Sequence, residues 1–294
     1  MHSPEMSQGD AAWQRALLLA QQGRSELAIE HLRRLLTTEP EHVGGLALLA
    51  RLLAERGEDR AARELAEKAI GLAPDLAFAH DTLAFVHREG GRLDEAALCA
   101  VEAIRLDPDD PDHHQSLAYI RLRQKKWAEA LAAADAGLAL DPEDADCLNL
   151  RSLALLRLGR AHEATDSLDA SLLHDPDNPY THQARGWALL HRGDAAGARL
   201  HFREALRRDP TLDGARQGLV EAIKAKNPLY RAVLTWMLWL DRFTDGRQQQ
   251  ILFGAWLAMF VGQNLLEGIG SEWAATALRL VWFGVVLLLS CTVP

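Results

Sequence analysis

The stretch Gly91-Arg92-Leu93-Asp94-Glu95-Ala96, with Ala103-Ile104-Arg105-Leu106-Asp107-Pro108 behind it, decides how this chain folds. A glycine that can turn the chain, a small residue soon after it, and a proline that ends the helix between them describe the second half of a helical hairpin. The pattern recurs. Prolines stand at Pro40, Pro74, Pro108, Pro142, Pro176 and Pro210, every interval being 34 residues. Alanine keeps one phase of that period as Ala28, Ala62, Ala96, Ala130, Ala164 and Ala198. A second small site runs through Ala16, Ala50, Ala84, Ala118, Ser152 and Gly186. Between the two small sites a turn glycine occurs at Gly23, Gly57, Gly91, Gly159 and Gly193, with Lys125 in the remaining unit.

Self-similarity at such a period is the mark of stacked two-helix units, and it outranks any local reading of secondary structure. Small residues let two backbones approach where a longer side chain would hold them apart. Asp110-Pro111 and Asn178-Pro179 read as N-caps followed by proline at the first helical position. In these residues the chain closely resembles the tetratricopeptide repeat family. The resemblance covers residues 9–212 as six repeats: 9–42, 43–76, 77–110, 111–144, 145–178 and 179–212. It implies an all-α fold, a right-handed superhelix of about six helix-turn-helix units. The first unit is less regular, and the family's usual bulky residue four places into a unit is replaced by His80, His114 and His182. Residues 1–8 read as a flexible N-terminus. A stack of this kind must close with a helix whose outer side is polar. Residues 213–226 supply one: Ala215, Leu219, Val220 and Ile223 can share a face while Arg216, Glu221 and Lys224 point elsewhere.

The net charge of −9 is uneven, residues 1–212 carrying −10 and residues 213–294 carrying +1. An acidic body argues against a nucleic-acid partner, because phosphate binding needs a basic stripe. Cys99, Cys147 and Cys291 are scattered and odd in number, so they outline neither a disulfide framework nor a zinc knuckle. The opening Met1-His2-Ser3-Pro4-Glu5 has the character of neither a signal nor a transit peptide.

After Asn227-Pro228 the composition changes, and five of the eight tryptophans lie beyond that point. Residues 227–250 read as a juxtamembrane, interfacial helix, since the apolar run from 229 to 240 is too short for a ~30 Å hydrocarbon layer. Residues 251–293 read as a transmembrane helical hairpin around Glu267-Gly268-Ile269-Gly270-Ser271-Glu272. Basic residues gather before the first span, as Lys224, Lys226, Arg231, Arg242 and Arg247, and none lies in the turn. That asymmetry predicts repeats facing the cytoplasm, most simply at a bacterial inner membrane. Gly254, Ala258 and Gly262 fall four apart, a spacing that allows close contact with the second span, a second copy of the chain or another membrane helix. The same spacing arises simply because glycine and alanine are common in membrane helices. Repeats, then Asn227-Pro228-Leu229-Tyr230, then a Trp-rich hairpin resemble bacterial membrane-anchored tetratricopeptide repeat proteins.

No phosphate loop, nucleophile elbow, zincin helix or dinucleotide fingerprint occurs, so an interaction protein without cofactor or bound metal is expected rather than an enzyme. His113 and His114 are adjacent and point about 100° apart on a helix, which prevents chelation as an i, i+4 pair. The family resemblance implies that the first helices line a concave groove, with the second, fifth, ninth and twelfth to thirteenth residues of each unit facing it. Those positions hold Trp13, Arg51, Phe78, Asp81, Phe85, Arg88, Gln115, Tyr119, Arg123, Asn149, Arg157, Tyr180, Gln183, Trp187 and His191. Aromatic, arginine and amide side chains of this sort are enriched at binding hot spots. The lysine–asparagine pair with which related cochaperones clamp a C-terminal carboxylate is missing: Asp81 with Phe85 and Gln115 with Tyr119 occupy its places. The expectation is a membrane-tethered scaffold or adaptor holding a protein segment in its groove. The rival is a structural or assembly subunit of a larger membrane complex.

Overall fold

The computed structural model describes residues 8–240, together with Arg247, Gln250 and Gly254. Among the described residues every regular element is an α-helix. The helices come in pairs, one pair per 34-residue unit. The first two units hold α1 (Gln8–Gln21) with α2 (Ser25–Thr38) and α3 (Val43–Glu55) with α4 (Asp59–Leu72). The next two hold α5 (Ala77–Glu89) with α6 (Leu93–Leu106) and α7 (Pro111–Arg123) with α8 (Trp127–Leu140). The last two hold α9 (Ala145–Arg157) with α10 (Ala161–His174) and α11 (Pro179–His191) with α12 (Ala195–Arg208). Two further helices follow, α13 (Asp213–Lys224) and α14 (Pro228–Leu240).

Each hairpin turn is built the same way. In the first unit Gly23 N–H donates to Ala20 O at 2.9 Å and Arg24 N–H to Leu19 O at 2.9 Å, the double bond that closes a helix through a left-handed residue. The third unit repeats it with Gly91 to Arg88 at 3.1 Å and Arg92 to His87 at 2.8 Å. The five glycines have φ between 70° and 82°. Lys125 takes the same place with φ 59°, and Lys126 N–H still reaches Arg121 O at 2.9 Å. A left-handed lysine costs about 1 kcal/mol. The repeated turn is strong enough to impose it.

The two small sites lie where the helices of a hairpin meet. Ala28, Ala62, Ala96, Ala164 and Ala198 are 0% exposed, as are Ala16, Ala50, Ala84 and Ala118. Gly186 continues the second series, and there the reason for smallness is visible. Phe202 of α12, fully buried, lies where a Cβ at Gly186 of α11 would come within 2.6 Å of its ring, and one at Gly218 of α13 within 2.3 Å. One ring thus locks three helices together.

The links between units are held through the repeated prolines. Each proline ends a helix and leaves a carbonyl to satisfy. Four places into the third, fourth and sixth units, His80, His114 and His182 bring Nε2 to Pro74 O (2.8 Å), Pro108 O (3.2 Å) and Pro176 O (3.0 Å). In the same phase Arg216 donates to Pro210 O at 2.9 Å. These histidines therefore replace the family's bulky residue with a hydrogen bond across the link. Two of the first helices, α7 and α11, start on the polar caps expected of them: Asp110 accepts from Asp112 N at 2.9 Å, and Asn178 from Tyr180 N and Thr181 N at 3.0 and 3.1 Å.

α13 packs on α11 and α12 and buries Ala215, Gly218 and Ala222. Tyr230, at the end of the Asn-Pro-Leu-Tyr segment, donates its hydroxyl to Glu221 and lies 5.5 Å from Lys224 Nζ, which holds the start of α14 to α13. Contacts divide the chain after Thr235 into two units, and all the repeats lie in the first. No helix among the described residues is long and apolar enough to cross a membrane. The spans expected over 251–293, with Ala258 and Gly262 of the small-residue stripe, lie outside the described residues.

The packing around Phe202 is directly testable. Gly186→Ala places a methyl group inside the ring's volume, and overpacking of this kind costs about 1–3 kcal/mol. Denaturant unfolding should show that loss, whereas Gly193→Ala, where a Cβ meets nothing within 4 Å, should act only through its left-handed backbone.

Candidate functional site

The first helices α3, α5, α7, α9, α11 and α13 pack each on the next, so residues of one phase form rows along a shared face. The fifth residue of a unit reaches the second residue of the following one. A Cβ at Gly44 would stand 3.3 Å from the ring of Trp13, and one at Gly214 would stand 2.8 Å from Gln183 Oε1. Gln115 hydrogen-bonds the carboxylate of Asp146. The centre of this face carries an ordered series of cations and rings. Arg51 Nη1 lies 3.4 Å from Asp81 Oδ2, and its guanidinium carbon 4.6 Å from the Phe85 centroid. Arg88 stands 4.3 Å from Phe85 and 4.6 Å from Tyr119, stacked against both rings.

Each such cation–π contact is worth about 0.5–1 kcal/mol at exposed sites and more where water is excluded. Stacking occupies the flat faces of a guanidinium and leaves its N–H edge for acceptors. Arg88 uses part of that edge on Glu89, 3.0 Å away. Tyr119 is 38% exposed, Phe78 39% and Tyr180 58%, and Arg123 is also exposed. Asp81 is buried, and its Oδ1 has no hydrogen-bond partner. The arrangement is a polar, aromatic surface that offers donors beside partly exposed rings.

Other residues of the expected groove are engaged by neighbours. Trp13 packs 5.3 Å from the ring of His42. Asn149 donates to Thr181 Oγ1 at 3.1 Å, which in turn pairs with Ser171 at 3.1 Å. Trp187 meets Phe202 edge-on at 5.5 Å. His191 ends α11 half-buried. Arg157, the last residue of α9, lies 5.7 Å from the ring of Trp127, the first residue of α8, which places the pair at the hairpin-turn end of the stack. Burial lowers the Arg157 pKa.

Two carboxylates of this face were passed over in the sequence. Asp112 and Asp146 hold the same phase as Phe78 and Tyr180, the signal that marks them. Burial raises the Asp112 pKa from its ordinary value, and Asp110, Asp144 and Asp81 raise it further. Burial followed by Asp144 raises Asp146, against the hydrogen bond from Gln115.

The histidines divide into local roles. His113 Nε2 lies 3.6 Å from Asp110 Oδ2, and Asp107, Asp110 and His113 bring potential ligand atoms within 4.8 Å of one another. Asp110 is already the cap of α7. His182 and His201 face each other through Nδ1 atoms 3.1 Å apart. A carbonyl can only accept, so His182 donates to Pro176 through Nε2–H. Its Nδ1 is then bare and takes the proton of His201 Nδ1.

An all-α array of helical hairpins with a shared first-helix face defines a repeat protein that offers an extended surface to another polypeptide. A tetratricopeptide repeat family model matches residues 13–77, 82–145 and 149–213, more than half of the chain, and the chain belongs to that family. No curated protein matches it at the level of sequence. In fold it is similar to a chain of the APC/C hetero-tetramer Cut9–Hcn1 (TM-score 0.63, 18% identity), over 73% of this chain and 42% of that one. It is similar also to PilF of Pseudomonas aeruginosa (TM-score 0.58, 21% identity), over 72% of this chain and 97% of that one. The likeness to yeast Tom70 has a TM-score of 0.59 at 19% identity, over 74% of this chain and 47% of that one. The chain thus spans less than half of the Cut9–Hcn1 and Tom70 chains, and at these identities the likeness is one of fold.

The facing histidines set a pH dependence. Burial lowers the pKa of both His182 and His201 from 6.5. As pH falls below that value the unfolded chain takes up protons first, so stability is full above about 6.5 and falls as pH descends toward the lowered values. His201→Gln keeps a donor to His182 without a titrating group. Its melting temperature should fall less between about pH 7.5 and pH 5.5 than that of the unchanged protein. Equal slopes would remove the pair as the cause.

Proposed function

We propose that this protein is a scaffold or adaptor that holds a segment of another protein against the first-helix face. The observation that carries the reading is the Arg51, Phe85, Arg88 and Tyr119 series, which draws residues from three successive units into one surface. Rings that stay partly exposed while being fixed by neighbouring cations lose little conformational freedom on binding. The tethering reading rests on the hydrophobic segments between 251 and 293 and on the basic residues before them. It places the repeats on the cytoplasmic side of a membrane and needs neither cofactor nor catalytic group.

Tyr119→Ala removes an exposed ring without opening a core. Captured partner should drop roughly tenfold when the full chain is used as bait on membrane extracts, the equivalent of about 1.4 kcal/mol. An unchanged set of captured proteins would move recognition away from this face. Raised salt separates the rival subunit role, since a recruited segment held by charge is released and an assembled subunit is retained.

The tether has its own test. Alkaline carbonate should leave the full chain in the membrane pellet and release a chain cut after Asn227. Release of the full chain would end the membrane reading.

A further inference from the structure

The proposed binding face differs in charge across its width. From α3 onward each first helix of a repeat begins at a proline link and ends at a hairpin turn, so all of them run the same way. Near the link side stand Asp112 and Asp146, each the second residue of its helix. Near the turn side stand Arg88, Tyr119 and Arg123. Asp112 and Tyr119 are seven residues apart on α7, which at ~1.5 Å per residue separates the two edges by roughly 10 Å. Arg51 and Asp81, 3.4 Å apart, sit between them and neutralise each other.

The outer charges are not balanced in this way. Asp112 makes no ion pair among the described residues, and Asp146 has the uncharged Gln115 for a partner. Burial raises both pKa values first, and neighbouring carboxylates, Asp110, Asp144 and Asp81 for Asp112 and Asp144 for Asp146, raise them further, so this edge gathers several negative groups. On the other edge Arg123 makes no ion pair among the described residues, and Arg88 pairs only with its chain neighbour Glu89. A purely acidic segment would meet the aspartates and a purely basic one the arginines, and like charges brought together at an interface are costly. Successive side chains of an extended segment point to opposite sides. We propose that the face receives an extended segment of alternating charge, its acidic side chains on Arg88 and Arg123 and its basic side chains on Asp112 and Asp146.

This rests on the reading of the first-helix face as the binding surface and adds the chemistry of the occupant. The probes are four labelled ~10-residue peptides of extended pattern sharing one central tyrosine, with the charged positions alternating Glu and Lys, all Glu, all Lys, or all Gln. Fluorescence anisotropy with the full chain at low salt should show the alternating peptide binding about tenfold more tightly than the others. Arg88→Glu with Arg123→Glu should turn the preference to the all-Lys peptide, and Asp112→Lys with Asp146→Lys to the all-Glu peptide. Arg123→Glu alone, on an exposed side chain, gives a smaller shift in the same direction if the double variant fails to fold. A preference of the unchanged chain for a single-charge or uncharged peptide, equal binding of all four, or binding of none overturns the proposal. If Tyr119→Ala still lowers partner capture in that case, the face remains the binding surface and only the charge pattern is wrong. Should Tyr119→Ala leave capture unchanged, the reading beneath it fails instead.

Discussion

Two helices can approach only until their side chains hold them apart, and in every unit of this chain that obstacle is removed at the same two places. The residues at Ala62 and Ala50, and their counterparts in the other units, are buried. Their smallness sets the distance between the helices of a hairpin, and that distance sets how the next hairpin can stack. Elsewhere the principle is inverted: two glycines open a space and Phe202 fills it, so the volume belongs to one large ring instead of two small contacts. Either way close packing is obtained without strain on the backbone.

The turn and the link complete the unit. A left-handed residue reverses the chain after each first helix, and the double hydrogen bond that accompanies it is so regular that Lys125 adopts it as well. At the other end a proline breaks the second helix, and at Pro74, Pro108, Pro176 and Pro210 its carbonyl is taken by a residue six places on, histidine in the first three. Hydrogen bonds of this sort are worth about 1 kcal/mol each. Their more important effect is directional, since they tie the start of one unit to the end of the one before.

Because the first helices follow one another in the same direction, any difference between their two ends is repeated along the face. Arg88, Tyr119 and Arg123 stand toward the turns, and Asp112 and Asp146 toward the links. A surface of this kind cannot arise within one hairpin, which is too small to bury its own apolar side.

Much of the fold was legible in the residues alone. A proline every 34 positions, two small sites and a turn glycine are local requirements of helix ends and helix contacts, so they survive in the one-dimensional record. Phase along the repeat likewise marked Arg51, Phe85, Arg88 and Tyr119. Phase says which way a side chain sets out and cannot say what it meets. Arg51 reaches Asp81, Asn149 reaches Thr181, and Arg157 turns to Trp127 through contacts about thirty residues apart in the chain. Which of the marked residues stay open to a partner and which are taken up by the next unit depends on the tilt between neighbouring hairpins. That tilt is the sum of many packing contacts and is written at no single position, which is why only the folded chain decided it.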